Sequence, residues 1–237
     1  MTPFSAELLG TAILIVLGDG VVANVALSRT HGHGGGLIAI TAGWAAAVFV
    51  AVYAVASASG AHLNPAVTLA LALRGKFAWA AVPSYMCAQL LGAFVGATVV
   101  WLAYRRHFEA TADPATVRGV FCTAPAIRDL GHNLLTEAIA TFVFVLGVLQ
   151  IAAPTHGLGA LDALPVALLV LAIGLSLGGP TGYAINPARD LGPRLAHAVL
   201  PLRGKGGSDW GYAWVPIAGP LLGAAAAALL HGACLAG

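Results

Sequence analysis

Six apolar stretches alternate with short polar or glycine-rich connectors along this chain, at about residues 5–27, 37–58, 82–104, 133–153, 163–180 and 211–233. Each is long enough, or nearly so, to cross a bilayer core of about 30 Å as a helix of roughly 20 residues. The connectors fall at Ser28 to Gly36, Arg105 to Gly131, Pro154 to Asp162 and Arg203 to Asp209. Two shorter helix-compatible stretches, Val67 to Leu73 and Arg189 to Leu200, follow the second and fifth spans. They are too short to cross and read as half-spanning helices.

Both short stretches begin on the same motif. Ser59-Gly60-Ala61-His62-Leu63-Asn64-Pro65-Ala66 returns 122 residues later as Thr181-Gly182-Tyr183-Ala184-Ile185-Asn186-Pro187-Ala188. Asn is a strong helix N-cap, and Pro suits the first helical position, where its missing N–H is not needed. Each triplet therefore starts a helix. A half-helix ending at membrane depth is tolerated only where its bare terminus is buried in protein or lines a cavity, so two such starts predict a lined path. Further echoes mark a duplication: Glu7-x-x-x-Thr11 with Glu137-x-x-x-Thr141, and Leu90-Leu91-Gly92-Ala93 with Leu221-Leu222-Gly223-Ala224.

Three spans per half is an odd number, so the second half is expected upside down relative to the first. The predicted fold is an all-α membrane protein: six transmembrane helices and two re-entrant half-helices in an inverted repeat. It forms one domain over 1–237, with halves at about 1–104 and 132–237. The half-helix N-termini then meet near the midplane and aim two positive dipole ends at one point. Gly92-x-x-x-Gly96 and Gly219-x-x-x-Gly223 put small residues where helices must approach closely.

Composition agrees with this reading. Charged residues make up 8% and hydrophobic residues 59%, whereas charged residues run near a quarter in soluble domains. The net charge of +2 is spread over loops without a basic run, which gives no sign of a nucleic-acid partner. Cys87, Cys122 and Cys234 are odd in number and far apart, so neither a disulfide framework nor a metal or cofactor site is indicated. Met1 to Gly18 lacks a basic leader region and reads as a retained first span. Alternate loops carry Arg74 and Lys76 on the amino-terminal side, against Arg29, Arg105, Arg106, Arg118, Arg128, Arg203 and Lys205 on the other. Taken alone, that count places both termini outside.

Six spans, two Asn-Pro-Ala half-helices and an Arg directly after the second triplet resemble the aquaporin, or major intrinsic protein, family over essentially the whole chain. Asn186-Pro187-Ala188-Arg189-Asp190-x-x-Pro193-Arg194 resembles its glycerol-facilitator branch, where Asp follows the Arg and a basic residue lies four further on. The resemblance implies an aromatic/arginine filter at Trp44, Gly174, Tyr183 and Arg189. Gly174 stands where water-specific members usually place His, and Pro216-Ile217 where they tend to have an aromatic pair. A wider filter of this kind suits a small polyol, whose carbon edge lies on the aromatic faces while its hydroxyls bond Arg189. The resemblance also implies a multi-pass cell-membrane protein with cytoplasmic termini, contrary to the charge count, and homotetramers with one pore per subunit. The departures are compact loops and Tyr183 where Phe is also common.

In this reading Asn64 and Asn186 offer side-chain N–H groups to the passing solute, because capping uses only the amide oxygen. Pro65, Ala66, Pro187 and Ala188 shape the helix starts. Glu7 and Glu137 brace the half-helix loops by accepting backbone N–H bonds, His62 is a hydrogen-bonded brace beside the first triplet, and Asp190 supports the second. His31 and His33 read as solvated loop residues rather than metal ligands. The expected function is passive conduction of glycerol, similar small neutral solutes and water across the lipid bilayer, with ions and protons excluded. A water-selective channel is the alternative. An ion-coupled transporter would want acids near the triplets, and Asp190 is the one acid the sequence places beside either. An enzyme would want a nucleophile with its base or a metal cluster, and the chain shows neither pattern.

Overall fold

A computed structural model describes residues 1–151 and 159–235 of the 237-residue chain. The first half contains α1 (Pro3–Ala26), α2 (Gly36–Ser59), the half-helix α3 (Pro65–Leu73) and α4 (Val82–Ala110). A short helix, α5 (Pro114–Phe121), lies in the connector. The second half contains α6 (Leu130–Gln150), α7 (Leu164–Leu177), the half-helix α8 (Pro187–Val199), and α9 (Trp210–Ala213) leading into α10 (Val215–Leu230). A π-helical turn, His231–Leu235, follows. Most of the predicted connector Pro154 to Asp162 lies outside the described residues.

The chain's punctuation explains these bounds. Thr2 caps α1 by accepting the N–H of Ser5, and Asn64 and Asn186 cap α3 and α8 with Pro at the first helical position. Gly60 ends α2 in the left-handed conformation at φ 81°. Two expectations are corrected. The connector Arg105 to Gly131 is not simply loop: α4 runs on to Ala110, and Asp113 caps α5 by accepting the N–H groups of Ala115 and Thr116. The fifth span, read as 163–180, has only 14 α-helical residues, preceded by the 3-10 turn Gly159–Ala163. Gly178-Gly179-Pro180 stops it, leaving about 21 Å of α-helix. The other spans are long and apolar enough to cross a membrane.

Packing repeats between the halves. α1 lies against α2 and α4, as α6 lies against α7 and α10. Each half-helix packs on the last span of the opposite half, α3 on α10 and α8 on α4, while α2 and α7 pair across the middle. The glycine pairs permit the closest contacts. A side chain at Gly92 or Gly96 would meet the Leu8 or Ala12 carbonyl of α1, and one at Gly219 or Gly223 would meet Glu137 or the Ala138 carbonyl of α6.

Candidate functional site

The loops entering α3 and α8 are strained in the same way. Gly60 and Gly182 have φ near 80°, and the non-glycine residues Ala61, Leu63, Tyr183 and Ile185 have φ of 50°, 52°, 37° and 43°. Left-handed geometry costs such residues about 1–3 kcal/mol each and persists only when the surroundings enforce it. Two buried carboxylates do so. Glu7 accepts the His62 and Leu63 N–H groups at 2.9 and 2.7 Å, and Glu137 accepts those of Ala184 and Ile185 at 3.0 Å each. The Ser59 and Thr181 hydroxyls, equivalent by the repeat, complete each brace at 2.7 and 2.6 Å.

The first brace is larger. Gln89 Nε2 donates to Glu7 at 2.8 Å and to the Thr68 hydroxyl at 3.0 Å, and Tyr85 donates to the Ser59 carbonyl at 2.8 Å. The His62 ring lies 3.1 Å from Thr68 Oγ1 through Nδ1 and packs against Phe77 and Tyr85, with centroids 4.6 and 4.9 Å away. Gln89, Tyr85 and Phe77 were not among the residues singled out from sequence.

At the meeting of the half-helices, the Asn64 amide oxygen accepts the Ala66 N–H at 2.8 Å, and that of Asn186 accepts the Ala188 and Arg189 N–H groups at 3.0 and 3.2 Å. The nitrogens cross between the repeats: Asn64 Nδ2 donates to the Ile185 carbonyl and Asn186 Nδ2 to the Leu63 carbonyl, both at 2.9 Å. This corrects the expectation that capping leaves each NH₂ free. One N–H of each pair joins the halves and one remains. Pro65, Ala66, Pro187 and Ala188 are buried around this junction.

A cavity of about 240 Å³ runs past the junction, with Asn64, Asn186, His62, Trp44, Tyr183 and Arg189 in its wall. The Arg189 guanidinium lies over the Trp44 ring, 4.2 Å from its centroid. Gly174 is not part of the wall. A side chain there would run into Thr41 and meet Tyr183 Cζ at 2.9 Å, so this glycine makes room for the Tyr183 ring. Behind the wall, Asp190 is fully buried; it accepts the Thr123 N–H and hydroxyl at 2.8 and 2.7 Å and pairs with Arg194 at 2.8 Å. Arg194, also fully buried, donates onward to the Ser208, Asp209 and Thr123 carbonyls. The reading of Asp190 as the one acid near a triplet is corrected as well, because Asp19 of α1 reaches Arg189 at 3.4 Å. An acid inside an apolar span was the available signal.

A broken-helix inverted repeat whose two half-helices meet beside a lined cavity defines a class, that of polytopic membrane proteins built around a transverse path. The family model described as "Major intrinsic protein" matches residues 1–231, and the chain belongs to that family. It is 57% identical over 231 residues, 98% of each chain, to the "Probable glycerol uptake facilitator protein" of Thermotoga maritima. Against the "Glycerol uptake facilitator protein" of Bacillus subtilis it is 51% identical over 237 residues, the whole of this chain and 86% of the other. Among solved structures it is similar to the aquaglyceroporin from Plasmodium falciparum, with a TM-score of 0.86 and 32% identity over 98% of this chain and 95% of that one.

Proposed function

We propose that this chain is one channel domain that conducts glycerol and similar small neutral solutes passively, together with water, and excludes ions and protons. The observation that carries the reading is the composition of one cavity wall: amide N–H groups at the half-helix junction, then a guanidinium and two aromatic rings. A polyol in file meets hydroxyl partners on one side and ring faces on the other. The names of the Thermotoga and Bacillus relatives support glycerol as the solute. Asn64, Asn186, Trp44, Tyr183 and Arg189 touch the solute, Gly174 shapes the filter through Tyr183, and Pro65, Ala66, Pro187, Ala188, Glu7, Glu137, His62 and Asp190 hold the frame. Two helix N-termini oppose cations, and dehydration in a narrow path opposes ions of either sign. Ion coupling is disfavoured because Glu7 and Glu137 are taken up by backbone N–H groups and Asp19 and Asp190 each face an arginine. By resemblance to the family, the protein sits in the cell membrane as a homotetramer, surrounded by lipid, with cytoplasmic termini.

Reconstituted liposomes under paired water and glycerol gradients, followed by stopped-flow light scattering, test the reading. Glycerol flux is expected to rise linearly with its gradient and to be indifferent to any imposed ion gradient, and water is expected to pass as well. Water flux without detectable glycerol flux hands the assignment to a water-selective channel.

A further inference from the structure

Asp19 sits in the apolar span α1 with its side chain fully buried, and nothing in the conduction path just described requires it. Its Oδ1 lies 3.4 Å from Arg189 Nη1, and its other oxygen has no partner among the described residues. Arg189 is thereby held between two groups, the Asp19 carboxylate and the Trp44 ring. The residue just before Asp19 serves the same place: a side chain at Gly18 would run into the Trp44 ring, so its absence lets the indole lie against α1. The adjacent acid cannot substitute for Asp19. Asp190 is committed to Arg194 and to Thr123, whose N–H and hydroxyl it accepts.

A charge withdrawn from water without a partner is strongly unfavourable, and removing one member of a buried pair leaves the other uncompensated. A guanidinium with no counter-charge at the narrow part of a low-dielectric path would also be an anion site, since such a setting focuses the field of a single sign. Solutes recognised by hydroxyl groups need the donors of Arg189 but not its net charge. We propose that Asp19 is the positioning residue and counter-charge of the filter: it fixes the guanidinium over Trp44 and brings the local charge to zero, so that the filter donates hydrogen bonds without drawing in anions.

This rests on the channel reading, which wild-type glycerol flux in the same vesicles tests separately. The experiment compares wild type, Asp19→Asn and Asp19→Asn/Arg189→Gln. It measures glycerol permeability by light scattering and nitrate permeability with a trapped anion-quenched dye, with the potential clamped by potassium and valinomycin. Asp19→Asn keeps the side-chain size and removes the charge, so the nitrate-to-glycerol permeability ratio is expected to rise at least tenfold. The double variant, neutral again, is expected to bring nitrate permeability itself back toward wild type, read apart from glycerol because Arg189 also serves that solute. If Asp19→Asn inserts poorly, the thermal stability of the two variants in detergent decides: charge compensation requires the double variant to be the more stable. An unchanged ratio in well-folded Asp19→Asn, or equal instability of single and double variants, overturns the proposal.

Discussion

Gly174 shows how a single residue acts through its neighbour. From sequence it reads as a missing side chain that widens the filter. In the structure its Cα faces the Tyr183 ring and Thr41, and it is Tyr183 that reaches the cavity. Even one added methyl group must therefore push the ring or Thr41 aside. Gly174→Ala is expected to slow glycerol by about tenfold, equivalent to roughly 1.4 kcal/mol of barrier, with water slowed less. Stopped-flow permeabilities of both solutes check this, and unchanged glycerol flux would mean that Tyr183 yields away from the path. The asparagines were legible because their identity, their Pro-Ala successors and their 122-residue offset coincide. The crossing of their amide nitrogens was not, since it depends on two carbonyls in left-handed loops, Leu63 and Ile185, that face each other only after both halves fold.

At the scale of elements, a half-helix is an unfinished structure that the spans beside it complete. Glu7 and Glu137 were readable as loop braces because they recur in equivalent spans, and each accepts two consecutive backbone N–H groups of the left-handed turn. Gln89, Tyr85 and Phe77 strengthen only the first loop, and with no counterpart in the repeat they gave no signal. Glu→Gln at either position turns one acceptor oxygen into a donor facing N–H groups. Hydrogen bonds to a charged group contribute about 1.5–3 kcal/mol each, so each substitution is expected to lower thermal stability in detergent by roughly 2–3 kcal/mol and to reduce glycerol flux with it. Wild-type melting and wild-type flux in both variants would show that the turns hold without the carboxylates. The far end of α8 is completed differently, by Lys205 Nζ donating to the His197, Ala198 and Leu200 carbonyls at 2.7 to 2.8 Å, where a cation suits the helix dipole.

Across the whole molecule, hydropathy revealed the spans and duplication revealed the inversion. The connector's role stayed hidden because its partners lie far along the chain. Thr123 in that connector meets Asp190 and Arg194, and Arg128 reaches Asp209, 81 residues away, at 2.8 Å. The basic residues that weight the loop count are largely tied to protein groups: Arg105 and Arg106 to Glu109, Arg118 to the Gly207 carbonyl, Lys205 to the end of α8. Only the Arg128–Asp209 tie lends itself to a clean pH test. Hydrogen bonds from Arg128 hold the Asp209 carboxyl below its ordinary value. A carboxyl depressed in the folded state stabilises it at pH above the unfolded value of about 3.9 and loses that contribution as pH falls through the depressed one. Arg128 is half exposed, so solvent screening keeps the contribution of the pair small. Asp209 itself has φ 51°, a conformation Asn also tolerates, so Asp209→Asn removes the charge without adding strain. Melting curves in detergent are expected to show the variant less stable by a constant margin from pH 8 to 5, with the margin closing below about pH 4. A margin that persists at pH 3, or that is absent at pH 7, would show that the bidentate pair does not fasten the connector to the last span.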